Sequence, residues 1–225
     1  IMVNEEGENL KVYDLKGNEI FSKSFEEGIC CPCFSPAGEK IIVREGAKNL
    51  KIYDLKGNEI FSKGFGKRIF DLSFSPAGEK IMVREGDRIL KIYDLKGNEI
   101  FSKGFEERIR SPSFSPTGEK IMVKEGNESL KIYDLKGREI FSKDLKEEIC
   151  CPCFSPTGEE IMVSEGDKSL KIYDLKGNEI FSKGFGKKIY DFGFSPAGEK
   201  IMVNEEGENL KVYDLKGNEI FSKSF

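Results

Sequence analysis

Two short clusters of cysteine are the part of this sequence best suited to metal or redox chemistry. All six cysteines fall in two copies of one hexapeptide, at residues 29–34 and 149–154. In a regular β-strand Cys31 and Cys33 point to one face and Cys30 to the other, so neither cluster alone places three thiolates around one ion. Small residues at the matching positions elsewhere favour a structural role. A tetrathiolate metal site and a disulfide between adjacent cysteines are the alternatives. The metal-ligand candidates are Cys31, Cys33, Cys151 and Cys153, and no cofactor is predicted.

The clustering of the cysteines also indicates a cellular compartment. A secreted disulfide framework spreads its cysteines along the chain, whereas here they are confined to two places. We therefore expect a reducing compartment and a cytoplasmic location.

Acid–base chemistry has little support in the sequence. The chain has no histidine, and it lacks the Gly-x-Ser-x-Gly, Walker-type and dinucleotide-binding glycine patterns. Asp71 and Asp191 are the only acids that the expected fold places for such work, and nothing in the sequence around them predicts a raised pKa. We predict that the protein is not an enzyme.

Two loops combine basic and aromatic side chains, a pairing typical of binding hot spots. One loop carries Lys67 and Arg68 and leads into Phe70; the other carries Lys187 and Lys188 and leads into Tyr190. The matching loops elsewhere carry glutamates, and a solvated mosaic of charges is the alternative interpretation. The predicted binding residues, for a protein or peptide partner, are Lys67, Arg68, Phe70, Arg110, Lys187, Lys188 and Tyr190.

The elements that must position these residues recur every 40 residues. The segment 10–17 returns almost unchanged at 50–57, 90–97, 130–137, 170–177 and 210–217. Within one repeat, residues 69–74, 80–84, 90–95 and 99–103 are predicted strands, separated by turns rich in Gly, Pro and Asn. Such a period indicates a supersecondary unit that buries its apolar faces against its neighbours.

The residues at fixed places in each repeat resemble those of the WD40 family over the whole chain. Phe-Ser-Pro-Ala/Thr-Gly is followed by an apolar strand and by Leu-Lys-Ile-Tyr-Asp-Leu, in which Tyr-Asp stands where that family has Trp-Asp. The sequence departs from the family in having no Gly-His dipeptide and no histidine. The resemblance implies an all-β propeller of four-stranded antiparallel blades that acts as a non-catalytic interaction scaffold.

Counting the strands leaves two ways to close such a ring. Repeats start near residues 1, 41, 81, 121, 161 and 201, and full blades span about 27–65, 67–105, 107–145, 147–185 and 187–225. Residues 1–25 are identical to 201–225, which favours five blades with a duplicated terminal segment. Burying that segment's apolar side chains, at ~25 cal/mol per Å², favours six blades, one of which lacks its inner strand. We predict six blades in a single domain over 1–225, as a monomer or, by exchange of the spare segment, an oligomer.

Composition limits the class of partner. The net charge of -4 lacks the basic excess of a nucleic-acid binder, and no segment is apolar enough to cross a bilayer. The Lys- and Glu-rich composition, without Gln, Trp or His, is typical of thermostable proteins. Because the chain starts at Ile1 without a leader, we expect a processed, trimmed or engineered form.

Function is predicted from the loops, because the strands are committed to the core. The turns at one end of the strands are nearly invariant, whereas the loops at the other end differ between repeats, as at 44–49 and 65–68. We expect this variable face to bind the partner. The alternatives are a structural or engineered repeat assembly without a ligand, and a small-ligand or metal binder that uses the central channel.

Overall fold

The structure, a computed structural model, describes residues 1–5, 7–207 and 209–224 and is all-β over them. These residues form 23 strands in six antiparallel sheets and no helix. The described residues include no helix long and apolar enough to cross a membrane. The chain divides into two compact units, Ile1–Glu106 and Glu107–Phe225, each built from three consecutive sheets.

The N-terminal unit contains sheets 1 to 3. Sheet 1 has three strands, β1 (Met2–Glu5), β2 (Asn9–Tyr13) and β3 (Glu19–Ser24). Sheet 2 consists of β4 (Ile29–Phe34), β5 (Lys40–Glu45), β6 (Asn49–Asp54) and β7 (Glu59–Gly64). Sheet 3 consists of β8 (Ile69–Phe74), β9 (Lys80–Glu85), β10 (Ile89–Asp94) and β11 (Glu99–Gly104).

The C-terminal unit contains sheets 4 to 6, each with four strands. Sheet 4 consists of β12 (Ile109–Phe114), β13 (Lys120–Glu125), β14 (Ser129–Asp134) and β15 (Glu139–Asp144). Sheet 5 consists of β16 (Ile149–Phe154), β17 (Glu160–Glu165), β18 (Ser169–Asp174) and β19 (Glu179–Gly184). Sheet 6 consists of β20 (Ile189–Phe194), β21 (Lys200–Glu205), β22 (Asn209–Asp214) and β23 (Glu219–Ser224).

The sheets follow the predicted 40-residue units. Strands pair with their neighbours in chain order within every sheet, and the predicted three-stranded start and five four-stranded sheets are confirmed. The second strand of each full sheet is central; β9, for example, is buried along both faces from Ile81 to Glu85. This agrees with its continuous apolar sequence, since a strand covered on both sides does not alternate.

One carboxylate organises the hairpin between the third and fourth strands. The Asp94 Oδ1 accepts hydrogen bonds from the backbone N–H groups of Lys96 (2.9 Å) and Asn98 (2.8 Å), and its Oδ2 accepts one from the Asn98 amide at 2.7 Å. Gly97 takes the left-handed φ of +89° that this turn needs. The same Asp accepts a hydrogen bond from the same backbone position in all six sheets.

Consecutive sheets within each unit pack face to face around a buried tyrosine. In the core between sheets 2 and 3, Ile52 and Phe61 of sheet 2 pack with Val83 and Tyr93 of sheet 3. The Tyr93 ring meets the edge of Phe65 at a centroid distance of 5.9 Å, and its hydroxyl donates to Glu99 at 3.2 Å. Equivalent cores join sheets 1 and 2, sheets 4 and 5, and sheets 5 and 6.

On sheet 1 and sheet 6, some side chains are exposed whose counterparts in the other sheets are buried by this packing. Val3 is 37% exposed, whereas its counterparts Val43 and Val83 are fully buried against the preceding sheet. On sheet 6, Phe221 is 48% exposed, whereas its counterpart Phe61 is buried against the following sheet. Each repeat therefore carries two different apolar faces, one for each neighbour.

We expect Tyr93→Ala to lower the free energy of unfolding by about 3–5 kcal/mol, since it removes a large side chain from the core between sheets 2 and 3. Chemical denaturation monitored by circular dichroism measures this loss. Leu15→Ala is the control, because Leu15 is 95% exposed. A loss below about 1 kcal/mol for Tyr93→Ala would show that the two sheets do not depend on this contact.

The turn carboxylates predict how stability depends on pH. Hydrogen bonds from the Asn98 side chain and from backbone N–H groups hold the pKa of Asp94 below its ordinary value of 3.8, and the other five turn aspartates shift in the same direction. A lowered pKa in the folded state stabilises the fold above the unfolded-state pKa. This contribution is lost as the pH falls below about 4 and the carboxylates become protonated in the folded state.

Thermal unfolding measured from pH 7 down to pH 2 tests this. The midpoint should fall steeply below about pH 4, and Asp94→Asn should cost stability at pH 7 but progressively less below pH 4. Glu79→Gln, which removes an exposed carboxylate, should leave the profile unchanged. An Asp94→Asn difference that is the same at every pH would contradict the assignment.

Candidate functional site

The basic loop of the N-terminal unit lies where sheet 2 crosses to sheet 3. Lys67 and Arg68 are exposed and occupy the four-residue connection between β7 and β8. Phe70 follows at the start of β8, where Ile69 pairs with Glu85 and Asp71 pairs with Arg84. Phe70 is therefore the extra residue of a β-bulge, a feature that redirects side chains at sheet margins.

Two guanidinium groups lie against the ring of Phe70. The Cζ atom of Arg84 is 4.9 Å from the ring centroid, and that of Arg68 is 5.5 Å from it, both within cation–π range. Arg84 also pairs through Nε with Asp71 and, at 3.8 Å, through Nη1 with Asp87. The arrangement joins an exposed cation, a half-buried ring and a buried arginine that pairs with two partly exposed aspartates. We call Lys67, Arg68, Phe70 and Arg84 the cationic patch.

A buried glutamate fixes the loop that carries this patch. Glu85 is 5% exposed; its Oε1 accepts the backbone N–H of Lys67 at 3.0 Å, and its Oε2 pairs with Lys91 at 2.8 Å. Burial alone raises the pKa of Glu85, but the bonds from Lys91 and Lys67 outweigh it and leave that pKa below its ordinary value. The glutamate is therefore ionised at neutral pH and stabilises the connection.

Sequence reasoning missed this glutamate, although its signal was present. A glutamate ends the second strand of every full sheet and pairs with the lysine six residues later. The recurrence of a charged residue directly after an apolar strand, followed by a lysine at fixed spacing, could have indicated a paired buried carboxylate.

The second predicted basic loop is built differently. Lys187, Lys188 and Tyr190 are all exposed, and Lys188 pairs with Asp167 at 3.0 Å. Asn204 occupies the position that Arg84 holds in sheet 3, so this loop lacks the counterpart of the second guanidinium. Asp191 accepts the backbone N–H of Phe192 at 2.9 Å.

Arg110 already has protein partners. Its Nη1 donates to Asn127 at 2.8 Å and lies 3.7 Å from the Glu148 carboxylate, which also pairs with Lys124 at 3.1 Å. This positive charge is therefore balanced within the C-terminal unit and is less available to a partner than Lys67 or Arg68.

One position at the start of the variable loops is buried and hydrogen-bonded, although its residue type differs between repeats. Arg44 and Lys124 are 8% and 5% exposed, and they donate to the backbone carbonyls of Ile69 and Ile149, 25 residues along the chain. Asn4 bonds the carbonyl of Ile29 in the same way, at 3.4 Å. In sheets 1, 2 and 4 this position therefore supplies a donor to the next sheet, whereas Ser164 at the same position of sheet 5 donates to the Gly166 carbonyl of its own hairpin.

The cysteines do not follow the alternation expected of a regular strand. The pairing of β4 with β5 skips from Cys30 to Cys33, and Cys31 has a φ of +56°. The Sγ atoms of Cys30 and Cys31 are 3.0 Å apart, so the prediction that they lie on opposite faces is wrong. Cys33 instead packs against the core between sheets 2 and 3, and burial raises its pKa.

The thiols of the two clusters belong to different units, Cys31 and Cys33 to the first and Cys151 and Cys153 to the second. Burial raises the pKa of Cys153 to about 11, and Cys153 packs against the core between sheets 5 and 6. Among the described residues, no three potential ligands gather in a way that could hold a metal ion.

A surface cleft of about 840 Å³ lies in the C-terminal unit, beside the loops of sheet 5. It contains none of the predicted binding residues, and its walls carry both charge signs, including Glu147, Glu165, Asp167, Lys146 and Lys171. Most of these charges are exposed loop groups, and the buried Glu165 pairs with Lys171. The cleft is therefore lined mainly by charged groups of both signs.

Comparison with known families and with curated proteins gives no match to this chain.

Proposed function

We propose that this chain is a WD40-like β-propeller that serves as a non-catalytic scaffold and binds an acidic peptide segment of a protein partner. Support for the propeller comes from the 40-residue four-stranded sheets and from their face-to-face packing within each unit. Six blades account for the six sheets, with sheet 1 as the blade that lacks an inner strand; closing this ring requires that the apolar faces of sheets 1 and 6, which are exposed in this structure, become covered.

The observation that carries the binding proposal is the stacking of Arg68 and Arg84 on Phe70 beside the exposed Lys67. A guanidinium held on an aromatic ring loses little freedom when it binds a carboxylate, and charge-assisted bonds are the stronger ones. Arg68 is the exposed group that can bind in this way, whereas Arg84 is buried, already pairs with Asp71, and supports the Phe70 ring. The Phe70 ring adds apolar contact for a neighbouring side chain. Glu85 orders the loop in advance, which lowers the entropic cost of binding.

The cysteines and the charge support the proposed compartment and the proposed class of partner. Two clusters of free cysteines suit the reducing cytoplasm. A net charge of -4 disfavours nucleic acid, while a local cationic patch on an acidic protein still attracts acidic peptides at short range.

A structural repeat assembly without a ligand is the second candidate function. It is favoured by the identity of residues 1–25 with 201–225 and by the exposed apolar faces of sheets 1 and 6. In that case the faces themselves, and not the loops, are the working surfaces.

We expect Lys67→Glu/Arg68→Glu to weaken binding of an acidic, fluorescein-labelled peptide with a central Phe by about tenfold or more, because it reverses the charge of the cationic patch. Fluorescence anisotropy measures the affinity, which should also fall with added salt. Lys56→Glu/Lys96→Glu is the matched control, since it reverses the same number of charges at exposed lysines in the hairpins at the opposite end of sheets 2 and 3. Equal losses in both variants, or no preference for the acidic over a basic peptide, would contradict the proposed site.

Removal of residues 1–25 tests the number of blades. This segment supplies Leu10, Val12 and Phe21 to the core that covers Ile41 and Tyr53 of sheet 2. In a six-bladed ring the shortened chain exposes that face and should self-associate or lose cooperative unfolding. In a five-bladed ring the identical segment 201–225 covers it instead, and the protein should remain a stable monomer. Sedimentation velocity and denaturant unfolding distinguish the two, and the second result would overturn six blades.

A further inference from the structure

Pro32 sets an unusual backbone path at the first cysteine cluster. Proline has no N–H to donate to the strand ladder, and β4 pairs Cys30 with Arg44 and then Cys33 with Ile42. Two residues of β4 therefore lie opposite one residue of β5. Cys31, just before the proline, takes a left-handed φ of +56°, so β4 contains a bulge at Cys31 and Pro32.

The bulge brings two neighbouring sulfurs together. In a regular strand consecutive side chains point to opposite faces, but here the Sγ atoms of Cys30 and Cys31 are 3.0 Å apart. Cys31 is exposed and Cys30 is half-buried, so the pair is reachable from solvent. Their mutual hydrogen bond is the main cause that raises the pKa of Cys31, so this thiol is protonated at neutral pH.

The backbone does not need thiols to take this path. In sheet 4 the sequence Arg110-Ser111-Pro112-Ser113 has the same bulge, and Ser111 has a φ of +49°. The second cysteine cluster repeats the bulge, with a φ of +47° at Cys151. Since serine supports the fold in sheet 4, packing does not explain why sheets 2 and 5 carry adjacent cysteines at this place.

The sulfur separation favours a shared ligand over a disulfide. A disulfide requires an S–S bond of about 2.05 Å and Cα atoms at least about 4.4 Å apart, whereas consecutive Cα atoms across a trans peptide are about 3.8 Å apart. Two sulfurs bonded at about 2.3 Å to one centre stand roughly 3–4 Å apart, close to the distance observed. Because no third ligand gathers among the described residues, the centre must be satisfied by two protein sulfurs.

We propose that the Cys30–Cys31 pair is a bidentate thiol site for a soft, thiophilic centre of the trivalent-arsenic class; the Cys150–Cys151 pair is included because of its matching bulge alone. With a monosubstituted arsenic(III) oxide, each thiol gives its proton to the oxide oxygen, which leaves as water, and two As–S bonds replace the As–O bonds. Arsenic remains trivalent, so the step needs no oxidant. This binding is independent of the peptide scaffold proposed above.

Intact-mass spectrometry of the full chain with phenylarsine oxide tests the site. We expect two adducts per chain that survive excess glutathione, a monothiol, and are removed by dithiothreitol, a dithiol. Cys31→Ser and Cys151→Ser should each lose one adduct, and the double variant should lose both. Cys33→Ser should lose none, because Cys33 packs into the core. Adducts that persist in the double variant, or that glutathione removes, would overturn the proposal; an adduct at one pair alone would overturn it for the other.

A second set of variants adds a new pair of thiols, so that the proposal can still be tested if a variant that lacks a cysteine folds poorly. Arg110→Cys/Ser111→Cys places two thiols on the bulge of sheet 4 and should add a third adduct. Ser62→Cys/Lys63→Cys places two thiols on a regularly paired part of β7 and should add none that survives glutathione. Circular dichroism confirms that each variant is folded. Equal gains from both variants would show that adjacency alone, and not the bulge, creates the site.

Discussion

The packing of one sheet against the next, centred on a buried tyrosine, is the interaction on which each unit depends. Tyr93 is 1% exposed; it contacts the edge of Phe65 and lies beneath the ammonium group of Lys63, which is 4.9 Å from its ring centroid. Both partners belong to the preceding repeat. The burial of apolar area here is the main favourable term, and a single sheet without such a neighbour would expose both of its apolar faces.

Polar groups join the same sheets where the apolar core ends. Glu85 ties the incoming connection to the second strand, and Arg44 reaches the first strand of the following sheet through the Ile69 carbonyl at 2.7 Å. Buried charges are stabilised when they are paired and hydrogen-bonded, as Glu85 is, whereas Arg44 bonds a carbonyl through Nη1 and leaves its buried Nε without a hydrogen-bond partner among the described residues. They act together with the core: the core brings the sheets together, and the charged groups fix how the loops enter and leave.

The repeated residues allowed most of the fold to be predicted from sequence, because period, apolar pattern and turn chemistry agree in every repeat. The four strands of each full repeat and the three-stranded start follow from them. Arg44 was misread, since it lies in a variable segment that was assigned to the binding face, whereas it is buried and donates to the Ile69 carbonyl of the next sheet. Cys31 was misread as well, because strict alternation was assumed although Pro32, which cannot pair in a ladder, already signalled a bulge.

The connections between consecutive sheets are short, and this decides which of the nearly identical faces meet. Residues 25–28 and 65–68 join sheets within the N-terminal unit, and 145–148 and 185–188 do so within the other. Since the repeats share almost the same apolar residues, the faces alone hardly discriminate between correct and incorrect neighbours. A connection of four residues keeps the next sheet at a high effective concentration, whereas skipping one 40-residue repeat would cost about 2 kcal/mol more in loop closure. Chain entropy therefore helps to determine the order of the sheets, in addition to the complementarity of their apolar faces. Lengthening one connection should promote exchange of repeats between molecules.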